Sequence, residues 1–289
     1  MNSNTLLAAC LVFAGNAYAS ETGQLTFDVY KADENSFNVT STVVYGATEA
    51  MIVDTGFTKA DALQIAAKVY DSGKKLSTIF ISQADPDYYF GAETLHQLFP
   101  SADIVTTPAV KEVIEKKLQF KLDYWGPKMG TNAPNSPYIP KAINADSITI
   151  DGVEIEIKGT EGILAHRPYL WVPTEKTILG NVAVYGHMHV WMADNQSERS
   201  VQAWLNQLNE MKRLDPKLVI PGHMPKEITH LDASHISYTQ SYINHFIQGK
   251  AQSDNSQELI EFMTEKYPDA AEVSSLALGA KVHSGEMKW

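Results

Sequence analysis

The sequence has almost no cysteine. Its single cysteine, Cys10, lies in the N-terminal segment. If that segment is removed, the remaining chain has no disulfide, no thiolate nucleophile and no cysteine ligand for a metal. Such a composition suits an oxidising compartment, such as a bacterial periplasm, although a chain without cysteine forms no disulfide there.

Basic clusters and long apolar runs are also missing. The chain holds 34 acidic and 23 basic residues, which gives a net charge of -11. This balance argues against nucleic acid or an anionic membrane as a partner. No stretch after the N-terminal segment is apolar and long enough to span a membrane. A nucleophile elbow and a phosphate loop are absent too. We therefore expect a small-molecule substrate or ligand, and a protein partner remains open.

The N-terminal segment has the pattern of a signal peptide. A short apolar run, Leu6–Ala14, is followed by the small-x-small site Ala17–Ala19. The run is too short for a membrane helix, and we predict a signal peptide over residues 1–19. Met1–Thr5 lacks the usual basic residue. The prediction is a periplasmic or secreted protein with one mature domain over residues 20–289. Lipidation at Cys10 is an alternative.

The remaining chain alternates between groups of strands and groups of helices. Three β-rich runs come first, and a helix with a capping box at Thr58 follows them. Two hairpins in the second half precede an amphipathic helix, a short strand and two final helices. This order predicts an α/β fold in which two mixed β-sheets pack face to face with helices outside, as a four-layer αββα sandwich.

The segment Asp123–Lys141 has a different composition. It is rich in proline and glycine, which interrupt regular structure, and it contains Trp125. We predict an irregular loop there. It is either a lid over a pocket or a surface excursion whose aromatic side chains pack on the body.

Four landmarks at strand ends carry a resemblance. In chain order they are Val53–Gly56, the polar loop Ser82–Gly91, Gly180-Asn181 and Pro221–His223. Their order resembles the metallo-β-lactamase superfamily, over most of the chain that follows the signal peptide. The resemblance implies an αββα sandwich and a metal-dependent hydrolase. It also implies that Asp54 supports the loops by hydrogen bonding and does not bind a metal.

The family's motif His-x-His-x-Asp-His is mostly lost. The matching positions are Gln83, Asp85, Asp87 and Tyr88, and only Asp87 agrees with the motif. The family's third histidine corresponds to the segment 159–167, where Thr160 or Ile163 falls nearest. His166 takes the place of that histidine only if the register of the segment shifts locally. The alternative is that His166 makes a hydrogen bond and binds no metal.

In the second half of the motif set, Asn181 stands where the resemblance implies a bridging aspartate, and the last histidine is retained as His223. Zinc prefers imidazole nitrogen, whereas Gln83 and Asn181 offer only neutral oxygen. A two-zinc site is therefore not expected. Asp85, Asp87 and His223, with Asn181 or Gln83, suggest a single divalent metal. Such oxygen-rich ligands suit Mg, Ca or Mn better than Zn. The alternative is no metal.

The same cleft is predicted to be lined by aromatic and imidazole side chains. The predicted pocket residues are Tyr88, Tyr89, Trp125, His166, His187, His189 and Trp191. His187 and His189 face the same side if the backbone is extended, as a metal pair or as polar residues at the pocket mouth.

Two interpretations follow. In the first, the protein is an exported hydrolase with an altered, mononuclear metal site, acting on a small ester, lactone or amide. Asp87 is then catalytic, because it orients or deprotonates a metal-bound water. In the second, the protein is a non-catalytic member of the fold, and the former metal cleft binds a small molecule or a protein partner.

Overall fold

The computed structural model describes residues 23–289. The predicted signal peptide and Cys10 lie outside the described residues. Six strands form the first sheet, in spatial order from β1 to β6. Strands β1 to β3 pair antiparallel, and β3 to β6 pair parallel. The strands are β1 (Thr26–Lys31), β2 (Thr40–Tyr45), β3 (Glu49–Val53), β4 (Lys75–Phe80), β5 (Asp103–Thr106) and β6 (Lys141–Ala142).

The second sheet has five strands in the order β11-β10-β9-β8-β7. Its four sequential strands pair antiparallel, and β11 adds to β10 in parallel. The strands are β7 (Ser147–Ile150), β8 (Val153–Lys158), β9 (Tyr169–Val172), β10 (Thr177–Leu179) and β11 (Leu218–Val219). Both sheets are therefore mixed.

The helices follow the strands in two groups. The first group is α1 (Lys59–Ser72), α2 (Pro86–Tyr89), α3 (Ala92–Leu98) and α4 (Pro108–Met129). The second group is α5 (Glu198–Arg213), α6 (Ser234–Gln252), α7 (Ser256–Lys266) and α8 (Val273–His283). Within residues 23–289, none of the helices has the length and apolar content that a bilayer crossing requires.

Three apolar clusters hold the layers together. The side chains of a strand alternate between its two faces. In β3, Ile52 faces a cluster shared with α1, whereas Val53 faces a cluster shared with the second sheet. In β9, Leu170 faces that same inter-sheet cluster, and Trp171 packs in the third cluster with α5 and α6. The predicted four-layer sandwich is confirmed.

The prediction of an irregular loop over Asp123–Lys141 is wrong in its first part. Helix α4 continues to Met129 with Pro127 inside it, and a short turn of 3-10 helix follows. Leu118, Leu122 and Trp125 pack on the first-sheet core at helical spacing, and this burial outweighs the missing proline N–H. A second difference is α8, a third C-terminal helix where two were expected.

Candidate functional site

The loop Ser82–Gly91 is held against the end of β3 by hydrogen bonds. Asp54 has a left-handed backbone with φ of 62°. Its carboxylate accepts from the backbone N–H of Ser82 at 2.7 Å and from the Ser82 hydroxyl at 2.8 Å. Burial raises the pKa of Asp54 to about 7, and these two hydrogen bonds oppose the rise. Asp54 therefore positions the loop and does not face the cleft.

A close backbone contact explains the glycine that ends this loop. A Cβ atom on Gly91 would lie 2.0 Å from the carbonyl oxygen of Thr55. The backbone N–H of Thr55 donates to the carbonyl of Tyr88 at 2.8 Å. The loop and the Val53–Gly56 turn are thus packed as one unit, and this fixes where the residues of α2 point.

Five side chains at positions that the resemblance assigns to metal ligands form what we call the cleft floor: Gln83, Asp87, Tyr88, Asn181 and His223. Each has less than a tenth of its surface exposed. The Gln83 amide donates to the carbonyl of Pro168 at 3.3 Å. Tyr88 is fully buried, and its hydroxyl donates to the carbonyl of Asn181 at 3.5 Å. Both side chains are therefore occupied by contacts within the protein.

Asn181 is predicted as a ligand, but both ends of its amide serve the backbone. Its oxygen accepts from the N–H of Val184 at 2.9 Å, and its nitrogen donates to the carbonyl of Ile220 at 3.1 Å. The side chain thus ties the loop after β10 to the end of β11. This geometry does not present Asn181 to a metal ion.

His223 and Asp87 are the floor residues that face each other. His223 Nε2 lies 3.6 Å from Asp87 Oδ2, and His223 Nδ1 lies 2.9 Å from the carbonyl oxygen of Phe37. Because a carbonyl can only accept, Nδ1 carries the proton and Nε2 presents its lone pair to Asp87. The ring is fixed by Tyr185, stacked at 5.2 Å, and by the edge of Tyr88 at 5.5 Å.

Burial keeps this pair uncharged near neutral pH. Burial lowers the pKa of His223 to about 4. Burial, with the charge of Asp85 as the next cause, raises the pKa of Asp87 to about 8. Both shifts follow from the cost of placing a charge where water is excluded.

The floor does not fit the metal that the resemblance implies. Across residues 23–289, no three His, Cys, Asp or Glu side chains are grouped so that they could hold one ion. Two of the neutral candidates, Gln83 and Asn181, already bind backbone groups. The second of the two candidate carboxylates, Asp85, is paired with Lys121, whose Nζ lies 3.6 Å from its Oδ1. A zinc pair would need several of these contacts to break.

Helix α4 covers one side of the site. Trp125 packs edge-on against Phe37 at 5.4 Å and against Phe57 at 5.3 Å. Since the Phe37 carbonyl holds the ring of His223, Trp125 lies beside the floor and does not line it. The segment predicted as a lid or a surface excursion is thus a helix packed on the body at this point.

Above the floor is a charged group that we call the cleft mouth: Asp85, Lys121, His166, Arg167 and Asp194. His166 is half-buried, and burial, followed by the charge of Arg167, lowers its pKa. The charge of Asp85 opposes that shift, which indicates that the helix α2 side and the β9 side of the cleft lie close together. His166 donates to none of the described residues.

Trp191 lies at the far edge of the mouth. Its indole N–H donates to Asp194 Oδ2 at 3.0 Å, and the indole N–H of Trp289 donates to Asp194 Oδ1 at 2.8 Å. The two indoles meet edge-on with centroids 5.4 Å apart. Trp191 therefore orients Asp194 and does not line the floor.

The remaining predicted pocket residues lie elsewhere. His189 is buried and its Nδ1 bonds to the hydroxyl of Tyr242 at 2.9 Å. His187 is exposed and stacks on Tyr238 at 5.1 Å. The expectation that both histidines share a side is wrong, because His187 has a φ of 51° and the segment is not extended. Tyr89 is buried in the first-sheet core cluster, where its ring meets that of Phe90 edge-on at 5.1 Å.

Sequence reasoning missed Lys121, Arg167, Tyr185 and Asp194. Arg167 directly follows His166, and that adjacency was the available signal. Nothing in the sequence marks Lys121, since it lies at an ordinary position on α4. Two open surface cavities, of about 690 and 620 Å³, include no residue of the cleft floor or mouth.

The fold and the floor can now be compared with known proteins. The model of the metallo-beta-lactamase superfamily matches residues 35–223. The chain belongs to this superfamily. The match covers more than half of the sequence and ends at His223, so it includes every residue of the cleft floor.

Solved structures agree with this assignment at the level of the fold. A metallo-beta-lactamase family protein from Thermus thermophilus has a TM-score of 0.62 at 14% identity, over 91% of this chain and 93% of that one. A metallo-beta-lactamase from Pontibacter korlensis has a TM-score of 0.54 at 15% identity, over 76% and 94%. Such low identity carries no information about substrate. No curated protein matches the chain.

Proposed function

We propose that this superfamily member is an exported, non-catalytic protein that binds a small molecule at the cleft mouth without a metal ion. The observation that carries the proposal is the state of the floor. Gln83, Tyr88 and Asn181, which stand at former ligand positions, are buried and hydrogen-bonded within the protein. A metal site would leave such groups free to converge.

Export rests on the sequence alone, through the apolar run and the small-x-small site before Ser20. It is tested by N-terminal sequencing of the protein from a periplasmic or culture fraction. A mature chain that begins at Ser20 supports export. An intact chain in the cytosol contradicts export, whereas a lipid on Cys10 would mean export as a lipoprotein and would contradict only cleavage before Ser20.

A second function is favoured by one specific contact. His223 presents a free Nε2 to Asp87 at 3.6 Å, and the charge of Asp85 acts on His166. A rearranged floor could use these groups as ligands for one divalent metal, Zn, Mn or Mg, in an altered hydrolase. This alternative requires Lys121 to release Asp85 and His166 to turn inward.

Metal analysis separates the two functions. We expect protein purified without chelator to retain no stoichiometric metal, and EDTA to leave its melting temperature unchanged. A metal that binds only the folded state, at about 100 times its Kd, would instead add about 2.7 kcal/mol of stability. In a screen of esters, lactones and β-lactams, we expect no hydrolysis by the wild type that the variants Asp87→Asn or His223→Gln abolish. Retained metal together with such a loss would establish the hydrolase.

A further inference from the structure

Arg167 is buried without the hydrogen bonds that a buried guanidinium normally makes. Its side chain is 8% exposed. The backbone is fixed, because its N–H donates to Leu164 at 2.7 Å and its carbonyl accepts from Gln207 at 2.8 Å. The guanidinium, however, donates to no acceptor among the described residues. Its nitrogens are not among the fully buried polar atoms that lack a partner in the described part of the chain, so the guanidinium N–H groups remain open to solvent.

Asp194 does not fill this gap. Its Oδ2 lies 3.7 Å from Arg167 Nη2, beyond hydrogen-bonding distance. Both carboxylate oxygens are already bonded by the indoles of Trp191 and Trp289. Burial would raise the pKa of Asp194, but the charges of Arg167 and of lysines on α4 hold it below its usual value. Asp194 therefore compensates the charge of Arg167 and leaves its N–H groups free.

The guanidinium is nevertheless held in place. It lies over the ring of Trp204 at 5.6 Å, and the Trp204 indole is anchored by donating to the carbonyl of Ala183 at 2.9 Å. A cation over a tryptophan face is oriented as well as stabilised. Arg167 is thus a preorganised donor in the bend before β9.

Besides the two carboxylates Asp85 and Asp194, the mouth holds further basic side chains near Arg167. Lys121 and Lys117 of α4 add positive charge on the opposite side of the mouth, and their charge acts on Asp194 as well. Tyr185, stacked on His223, has a buried phenol that bonds to none of the described residues. The mouth is therefore locally rich in donors, although the chain as a whole carries a charge of -11.

We infer that Arg167 is the anion-binding residue of the cleft mouth, and that the ligand carries a carboxylate held by its guanidinium with Lys121 nearby. This inference rests on the proposed binding function and names the ligand class. The guanidinium fork matches the two oxygens of a carboxylate, and such paired contacts are stronger and more directional than those of lysine. Phosphate shares this chemistry, and the experiment distinguishes the two.

The test compares benzoate, its neutral amide benzamide and inorganic phosphate. Each is titrated into the full mature chain at constant ionic strength, because surface charges are screened by salt. Tryptophan fluorescence reports on the site, since Trp204, Trp191 and Trp289 surround Arg167 and Asp194. We expect saturable binding of benzoate and none of benzamide. Saturation by phosphate and not benzoate would keep the anion role of Arg167 but overturn the carboxylate.

Variants locate the effect. Arg167→Met should weaken benzoate binding about tenfold or more, the usual size of a charge-assisted hydrogen bond. Arg167→Lys keeps the charge but loses the paired N–H groups of the guanidinium. Its affinity for benzoate should lie between those of the wild type and Arg167→Met. Lys121→Gln, at a helix position whose side chain is 17% exposed, should weaken binding by a smaller factor. Arg199→Met, at an exposed position on α5, is the matched control and should bind like the wild type.

The failures are distinguishable. If neither anion saturates, or if benzamide binds as well as benzoate, the inference is overturned even when the protein is metal-free. If Arg167→Met does not fold, the other two variants decide. Should Arg167→Lys and Lys121→Gln both bind benzoate as tightly as the wild type, the inference is overturned. Metal retained by the same preparations would instead overturn the proposed function, and Arg167 would still be judged by its own titrations.

Discussion

The floor and the mouth of the cleft differ in how their polar and charged side chains are bonded. On the floor, Tyr88 and Asn181 are buried and bonded to backbone groups, and the His223–Asp87 pair is uncharged near neutral pH. At the mouth, Lys121 is paired with Asp85 and Arg167 with Asp194, and the guanidinium of Arg167 donates no hydrogen bond to the described residues. The floor thus contributes to stability, whereas the mouth keeps groups available for a ligand.

Truncating the floor should have the largest effect. Tyr88→Ala removes a fully buried aromatic ring that packs on His223. We expect a loss of about 3–5 kcal/mol of unfolding free energy, the usual cost of such a cavity. Tyr124→Ala is the matched control, because Tyr124 is 49% exposed on α4. It should cost less than about 1 kcal/mol. Urea denaturation measures both free energies. Equal losses would show that the floor contributes no more to stability than the exposed surface of α4.

Restoring the family's acid on the floor should destabilise the protein. Asn181→Asp removes the donor to the Ile220 carbonyl and sets two acceptors against each other at a site 1% exposed. The expected cost is about 1–3 kcal/mol. Added zinc should not recover it, because Gln83 and Asp85 remain engaged elsewhere.

The control for that substitution is Asn206→Asp, on the exposed face of α5. It should change the unfolding free energy by no more than about 0.5 kcal/mol. Full recovery of Asn181→Asp by zinc, measured by the same denaturation, would mean that the floor can still assemble a metal site.

The sequence was sufficient to predict the fold and the location of the cleft, but not the condition of its residues. The order of strand-end landmarks places Asp54, Asp87 and His223, since parallel strand ends meet at one edge. It cannot show that Asn181 joins two strand ends, because its second partner, the Ile220 carbonyl, is distant in sequence. Pro127 also masked α4, whose buried face depends on tertiary packing. The burial of Arg167 has no sequence signature at all.

The same contrast between buried and exposed groups operates within one short motif, His187-x-His189. Burial lowers the pKa of His189 to about 4, and its ring is bonded to Tyr242. In the unfolded chain a histidine has a pKa of about 6.5. Between these values the unfolded state binds more protons, so stability rises with pH there. The contribution is complete above about pH 6.5 and is lost as the pH falls towards 4.

From about pH 7.5 to about pH 5, His189 should account for a loss of about 1–2 kcal/mol of unfolding free energy. His189→Gln should therefore show a shallower decline than the wild type over that range. His187→Gln should decline in parallel with the wild type, because His187 is exposed and its neighbour Tyr238 stays in place. Denaturant titrations at both pH values measure the difference. If His189→Gln and His187→Gln decline alike, burial of one histidine and exposure of the other do not separate them energetically. The contrast between interior and surface would then have to rest on packing alone.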